Sequence, residues 1–305
     1  TLLLDGGGTL LSDALLHMTE TVSKEELPEE LYQKTGEVGD YSLYNNLYTL
    51  PVGMLCDDSL ISCELTETFS GNSAAIFDNQ NRIYHALGGS GNLVRTPEND
   101  KEMLTEKTET ATEITYELQA KGQEVLYLTA PALSWNQVEI LVNGKTISVP
   151  SYHREDNTGY TSEYNNNCLL LGVFEDEPVT VTLRVLGKIN SEPALGFLST
   201  EKMQDLISLH QQDGTRVLAE GRQITVSYQN DGDDTRYLFL PVSFDRGWSA
   251  QINGSQVEIT PVFGSWMAVS VPPGSGEIEL HFVPQGTFAG WLLSAAGTIV
   301  FLVLL

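Results

Sequence analysis

Basic side chains are scarce. Sixteen Lys and Arg stand against 41 Asp and Glu in 305 residues, a formal charge of −25. A surface this poor in cations cannot neutralise a phosphate backbone, so nucleic acid is excluded as a partner and adsorption to anionic lipid is disfavoured. Cysteine is sparse too: Cys56, Cys63 and Cys168 are too few for a disulfide framework. Cys56 and Cys63 stay open to two readings, a pair or two buried thiols; Cys168 reads as core. The five His are scattered, and no CxxC or His/Cys cluster has zinc spacing. No GxSxG elbow exists for a nucleophile. Asp5-Gly-Gly-Gly-Thr has the glycines of a phosphate loop but not its Lys. The acidic clusters Asp57-Asp58, Glu175-Asp176-Glu177 and Asp231–Asp234 lack EF-hand spacing and read as solvated turns. No catalytic, metal or cofactor site is expected in these residues.

Long apolar runs are absent until the end. Ala289–Leu305, AGWLLSAAGTIVFLVLL, then carries no charge. It reads as the start of a transmembrane helix with Trp291 in the interface belt. The chain opens without a signal peptide or an initiator Met. The expectation is a piece of a longer membrane protein.

What the sequence does have is alternation. In Tyr237–Gly254, YLFLPVSFDRGWSAQING, residues Trp248, Ala250 and Ile252 fall on one face of a strand, with Ser249 and Gln251 opposite. Asn253-Gly254 suits a tight hairpin turn. A shift of 110 residues brings Tyr127, Leu128, Pro131, Asn143 and Gly144 onto Tyr237, Leu238, Pro241, Asn253 and Gly254. It also brings Ile114, Tyr116 and Leu118 onto Ile224, Val226 and Tyr228. The apolar phase is kept without a gap, so a duplicated β unit is expected.

Along the chain, Ser12 or Asp13 caps a short helix through His17, and Lys24–Glu37 reads as loop. Tyr41–Met54 reads as two strands about a turn at Asn45-Asn46. Ile76, Ile83, Tyr84 and Leu87 make a helical face stopped by Gly88-Gly89. A second amphipathic segment spans roughly Glu98–Thr108. Residues 199–212 are a helix with Met203, Leu206, Ile207 and His210 on its buried stripe. The fold expected is mainly β with some α: an α+β region over 1–109, a jelly-roll or β-sandwich unit over 110–190, a helix plus second sandwich over 191–286, and the membrane helix from 287 to 305. Each β unit is preceded by a helix.

Two places have the composition for ligand contact. The polar loop over 150–167 carries Tyr152, His153, Tyr160 and Tyr164, and Trp135 sits in an exposed turn of the first unit; these are the candidate glycan contacts. A solvated loop without a ligand is the plainer reading of the same residues. In Asp245-Arg246-Gly247-Trp248, Trp248 either stacks on a sugar or anchors the core. Its phase puts it on the buried face, so Asp245, Gly247, Trp248, Asn253 and Gly254 read as structural turn residues.

The segments LFLPVSFDRGWSAQINGSQVEI and VPPGSGEIELHFVPQGTFAGWLLS, with SLYNNLYTLPVGM and FDNQNRIYHALGG upstream, resemble the C-terminal part of YfhO-type bacterial membrane proteins. The resemblance covers most of residues 40–305. It implies a polytopic protein of the bacterial cell membrane, with residues 1–286 mainly extracytoplasmic. It also implies a relation to lipid-linked-sugar (GT-C) glycosyltransferases that decorate envelope polymers such as lipoteichoic acid. A polyprenyl-phosphate sugar would be the donor, used in a membrane domain preceding Thr1. The role it implies for these residues is to hold or orient acceptor glycan. The alternative from the residues alone is a non-catalytic glycan- or protein-binding surface module, or a rigid spacer.

Overall fold

The computed structural model describes residues 8–66, 74–97, 102–107, 111–130, 138–147, 168–186 and 193–304. They form two units: residues 1–51 with 62–211, and residues 52–61 with 212–305. The architecture is mostly β, built of antiparallel sheets.

The chain begins with helix α1 (Leu10–Leu15), preceded by Thr9, and a small sheet ordered β1 (Glu20–Ser23), β3 (Tyr41–Asn46), β2 (Tyr32–Val38). The loop expected over Lys24–Glu37 thus ends in a strand. Its Gln, Lys and Gly residues are poor strand formers, but β3 supplies the pairing edge, and a register shift between Lys34 and Gly36 accommodates the mismatch. The turn expected at Asn45-Asn46 is absent. Asn46 ends β3 instead: its Nδ2 donates to Met18 O at 3.1 Å, and its Oδ1 accepts from Tyr48 N at 2.9 Å.

Next come β4 (Met54–Cys56), α2 (Ser59–Ser62), α3 (Ala75–Ala86) and β5 (Val94–Arg95). Helix α3 buries the expected face, Ile76, Ile83 and Tyr84, with Leu87 following it. Gly88, at φ +93°, ends it. Three consecutive polar residues dock this helix. Asn79 exchanges hydrogen bonds with the backbone of Thr66 at 2.8 and 2.7 Å. Gln80 meets the hydroxyls of Thr9 and Ser12, and Asn81 exchanges bonds of 2.8 Å with the backbone of Val94.

The first sandwich contains β6 (Glu102–Lys107), β7 (Ala111–Gln119), β8 (Gln123–Thr129), β9 (Val138–Val142), β10 (Lys145–Ile147), β11 (Leu169–Glu175), β12 (Pro178–Leu186) and β13 (Ala194–Ser199). Its sheets are ordered β10-β9-β12-β7-β6 and β11-β8-β13-β5. Here the amphipathic segment expected over Glu98–Thr108 is, over 102–107, a strand paired along β7; tertiary pairing overrides the local pattern. Helix α4 (Thr200–Gln211) follows, with Met203, Leu206, Ile207 and His210 buried as expected. His210 Nε2 lies 2.8 Å from Leu87 O, and α4 groups with the first unit, not with the second sandwich that it precedes in the chain.

The second sandwich is made of β14 (Arg216–Glu220), β15 (Gln223–Asn230), β16 (Arg236–Ser243), β17 (Trp248–Ile252), β18 (Ser255–Val257), β19 (Ile259–Val262), β20 (Trp266–Val271) and β21 (Gly274–Phe282). Its sheets are ordered β14-β15-β21-β17-β18 and β19-β20-β16-β4. The five-stranded sheets match position for position. Val181 of β12 faces Tyr116 and Val142; Ile278 of β21 faces Val226 and Ile252. Both Asn-Gly hairpins have two positive φ angles, 49° and 78° at Asn143-Gly144 and 50° and 79° at Asn253-Gly254. The residues related by the shift of 110 line equivalent cores, while the four-stranded sheets differ at their edges: β5 lies beyond β13 in the first, and β19 lies beyond β20 in the second.

The position beside the central strand is filled from different parts of the chain. In the first sandwich β13 pairs with β8 and sets Leu195 against Leu128. In the second, β4 pairs with β16 and sets Leu55 against Leu238. Residues 52–61 therefore group with the second sandwich, although the sequence places them before the first. Asp213 Oδ2 accepts from Leu55 N at 3.1 Å, and Arg236 Nη2 donates to Leu55 O at 2.7 Å.

The last element is α5 (Thr287–Leu304), 18 residues with mean hydropathy 2.0 and none of it buried. At 1.5 Å per residue it is about 27 Å long, close to the thickness of a bilayer's hydrocarbon core.

Leu55 is fully buried in the second core, so Leu55→Ala is expected to cost about 2–5 kcal/mol. Hydrogen exchange should show the loss in β16, with the amides of β8 unaffected. Equal deprotection of β8 would mean that residues 52–61 do not belong to the second sandwich alone.

Candidate functional site

Trp135, Tyr152, His153, Tyr160 and Tyr164 lie outside the described residues. Asp245, Gly247 and Trp248 are described and form one turn. Asp245 Oδ1 accepts from Gly247 N at 2.7 Å, and Asp245 O accepts from Trp248 N at 3.1 Å. Gly247 O accepts from Val283 N at 2.9 Å, so the turn holds the chain where β21 ends and the approach to α5 begins. The Trp248 ring lies 5.0 Å from that of Phe282, half-buried against the second core. A side chain on Gly247 would run into Val283 O and the Phe282 ring. Asn253 and Gly254 make the hairpin at the far end of β17. Trp266 is buried beside Phe239, ring centroids 5.4 Å apart, and Phe239 lies 5.7 Å from Phe263.

Two open clefts are lined by described residues. One, of about 640 Å³ in the second unit, is lined by Asp57, Asp58, Asp233, Asp234, Thr235, Arg236 and Tyr237. Arg236 Nε donates to Asp57 Oδ1 at 3.2 Å, so part of this acidity is neutralised. Among the described residues no group of three His, Cys, Asp or Glu is placed to hold a metal ion.

The other cleft, of about 790 Å³, lies on the β1-β3-β2 sheet of the first unit. Tyr44 and Tyr32 contribute two rings, centroids 6.5 Å apart and planes at 75°. Leu27 and Leu47 add apolar surface; Glu26, Glu29, Gln33 and Lys34 supply polar groups. The turn over Pro28–Leu31 brings the carboxylates to the sheet: Pro28 O accepts from Leu31 N and Tyr32 N, and Tyr44 Oη accepts from Leu27 N at 3.4 Å. The sequence signals the aromatics of this cleft only as strand residues. The folding of Glu26–Glu29 against them has no local pattern.

Behind the rings lies Asp13, whose carboxyl burial pushes up to about 6. Burial, with the Asp13 charge, pushes the Tyr32 phenol up to about 12, so it stays a hydrogen-bond donor at every physiological pH. All three cysteines are free thiols, which settles the two readings of Cys56 and Cys63 against a pair. Burial pushes up the thiols of Cys56 and Cys168, which are therefore poor nucleophiles.

Fold and turn together define a tandem β-sandwich protein with, among the described residues, one helix long and apolar enough to cross a membrane. Residues 3–294 match the family described as bacterial membrane protein YfhO, and the chain belongs to that family. Solved structures that are similar include two GH2 β-galacturonidases from Eisenbergiella tayi, one bound to galacturonate and the other to glycerol. Identities are 9% and 10%, each with a TM-score of 0.22 and 87% of this chain covered. The chain spans 37% of either enzyme's length, and at that TM-score neither informs its chemistry. No curated protein matches the chain.

Gly247→Ala should cost about 1–3 kcal/mol by forcing Val283 and Phe282 apart. Urea unfolding followed by Trp fluorescence will read this, and protease cleavage near Pro284 should quicken.

Asp13 gives a pH signature. Its folded carboxyl holds a proton that the unfolded chain releases, so stability falls as pH rises from about 4 to about 6. With allowance for its partial exposure, the change is roughly 1–2 kcal/mol. Asp13→Asn should flatten that slope in urea melts taken across the window.

Proposed function

We propose that this chain is the extracytoplasmic part of a membrane protein related to lipid-linked-sugar glycosyltransferases, and that it holds or orients the acceptor glycan of an envelope polymer. The reading is carried by one combination: membership of the YfhO membrane family, with two stacked-sheet units leading into an exposed apolar helix. The charge of −25 supports it, since such a surface stays hydrated and repels anionic lipid. In this reading sugar transfer from a polyprenyl-phosphate donor takes place elsewhere in the protein. An acidic base would activate the acceptor hydroxyl there. The β units present the acceptor and keep it near the membrane surface.

The orientation is tested with an exposed reporter. Glu220→Cys, on β14, should react with a membrane-impermeant maleimide in intact cells, the three native thiols serving as the background control. Labelling only after permeabilisation overturns the extracytoplasmic assignment. The purified 305-residue chain is expected to transfer no sugar from a polyprenyl-phosphate donor; turnover by it would move the chemistry into these residues.

A further inference from the structure

The cleft on the β1-β3-β2 sheet has the chemistry of a pyranose receptor. A sugar ring is amphipathic, with an apolar C–H face and a rim of hydroxyls that both donate and accept. Its usual receptor offers an aromatic or aliphatic platform with polar side chains around it. Here Tyr32 is half-buried against the edge of Tyr44, and Leu47 remains 47% exposed beside it. Leaving apolar carbon open in a concave surface costs about 25 cal/mol per Å², which a stacked C–H face would recover. Around this platform stand two carboxylates, an amide and an ammonium, from Glu26, Glu29, Gln33 and Lys34. The wall carrying the two carboxylates is fixed by the hydrogen bonds to Pro28 O and Tyr44 Oη. The volume, about 790 Å³, lies in the range of small-molecule sites and has room for more than one sugar ring.

Charge narrows the ligand further. Lys34 Nζ sits 2.6 Å from Glu37 Oε1, so the one cation among the described residues of the rim is already paired. Glu26 and Glu29 leave the rim acidic, which disfavours a phosphate or a carboxylate and favours a neutral or amine-bearing sugar.

We propose that this cleft is a saccharide-binding site, with Tyr32 and Leu47 as the stacking platform, Glu26, Glu29 and Gln33 as hydroxyl partners, and a neutral or amino sugar of a glycan chain as its ligand. The proposal deepens the acceptor-holding reading and rests on it for the identity of the physiological polymer, while the cleft's chemistry stands by itself.

The test uses the full chain in detergent, titrated calorimetrically with three probes: N,N′-diacetylchitobiose, its de-acetylated diamine, and glucose 6-phosphate. The two disaccharides should bind, the diamine more tightly, and the phosphate should not. Leu47→Glu changes an exposed side chain, with circular dichroism as the check that the fold is kept; it should weaken both disaccharides about 10-fold or more. Glu29→Lys should weaken both disaccharides and abolish the preference for the diamine, which loses more than the neutral sugar does. Failure of both disaccharides to bind, binding unchanged by Leu47→Glu, or tighter binding of glucose 6-phosphate each overturns the proposal. The two readings fail separately. Intracellular labelling of Glu220→Cys removes the extracytoplasmic role and leaves the titration standing. A blank titration with external labelling removes the cleft alone.

Discussion

Backbone groups along one side of β16 must be paired or remain an open template for other strands. Met54, Leu55 and Cys56 fill that role from a distant part of the chain. The first sandwich meets the same requirement with β13, from the opposite direction in sequence. In both cases a leucine, Leu195 or Leu55, is set against its counterpart on the central strand, Leu128 or Leu238. The repeat is thus a repeat of the five-stranded sheet order and of core contacts, not of chain continuity. One copy is completed by a strand later in the chain, the other by residues that precede both.

The same need for partners governs how α3 is held. Asn79, Gln80 and Asn81 are consecutive, so a helix points them in three directions. Each finds a separate segment: the backbone at Thr66, the helix start at Thr9 and Ser12, and the short strand at Val94. Amide side chains suit this because each carries both donor and acceptor and can copy a peptide group. An apolar residue at any of the three would remove these hydrogen bonds and the docking they provide.

Much of this fold was legible because it is local or periodic. Alternation located β9 and β17, Asn-Gly located both hairpins, and the face from Ile76 to Leu87 located α3. The shift of 110 exposed the duplication, since Ile114, Tyr116 and Leu118 kept the phase of Ile224, Val226 and Tyr228 in equivalent cores. Strands that exist only because a neighbour pairs with them were not legible. β2 and β6 have no alternation of their own strong enough to declare them, and β4 is three residues long. The Tyr32–Tyr44 cleft falls in the same class. Its aromatics were visible, but a cleft is made by the second wall, and the Glu26–Glu29 wall is fixed by three hydrogen bonds that no spacing encodes.

Only Val283–Gly286 separates the end of β21 from the start of α5. Fully drawn out, four residues reach about 14 Å, and these are not drawn out. Val283 is tied to Gly247, and Pro284 O accepts from both the amide and the hydroxyl of Thr287. So short and braced a joint behaves as a stiff coupling, not as a leash. With α5 set in a bilayer, the second sandwich would tilt whenever the helix tilts and would ride within a headgroup's depth of the lipid.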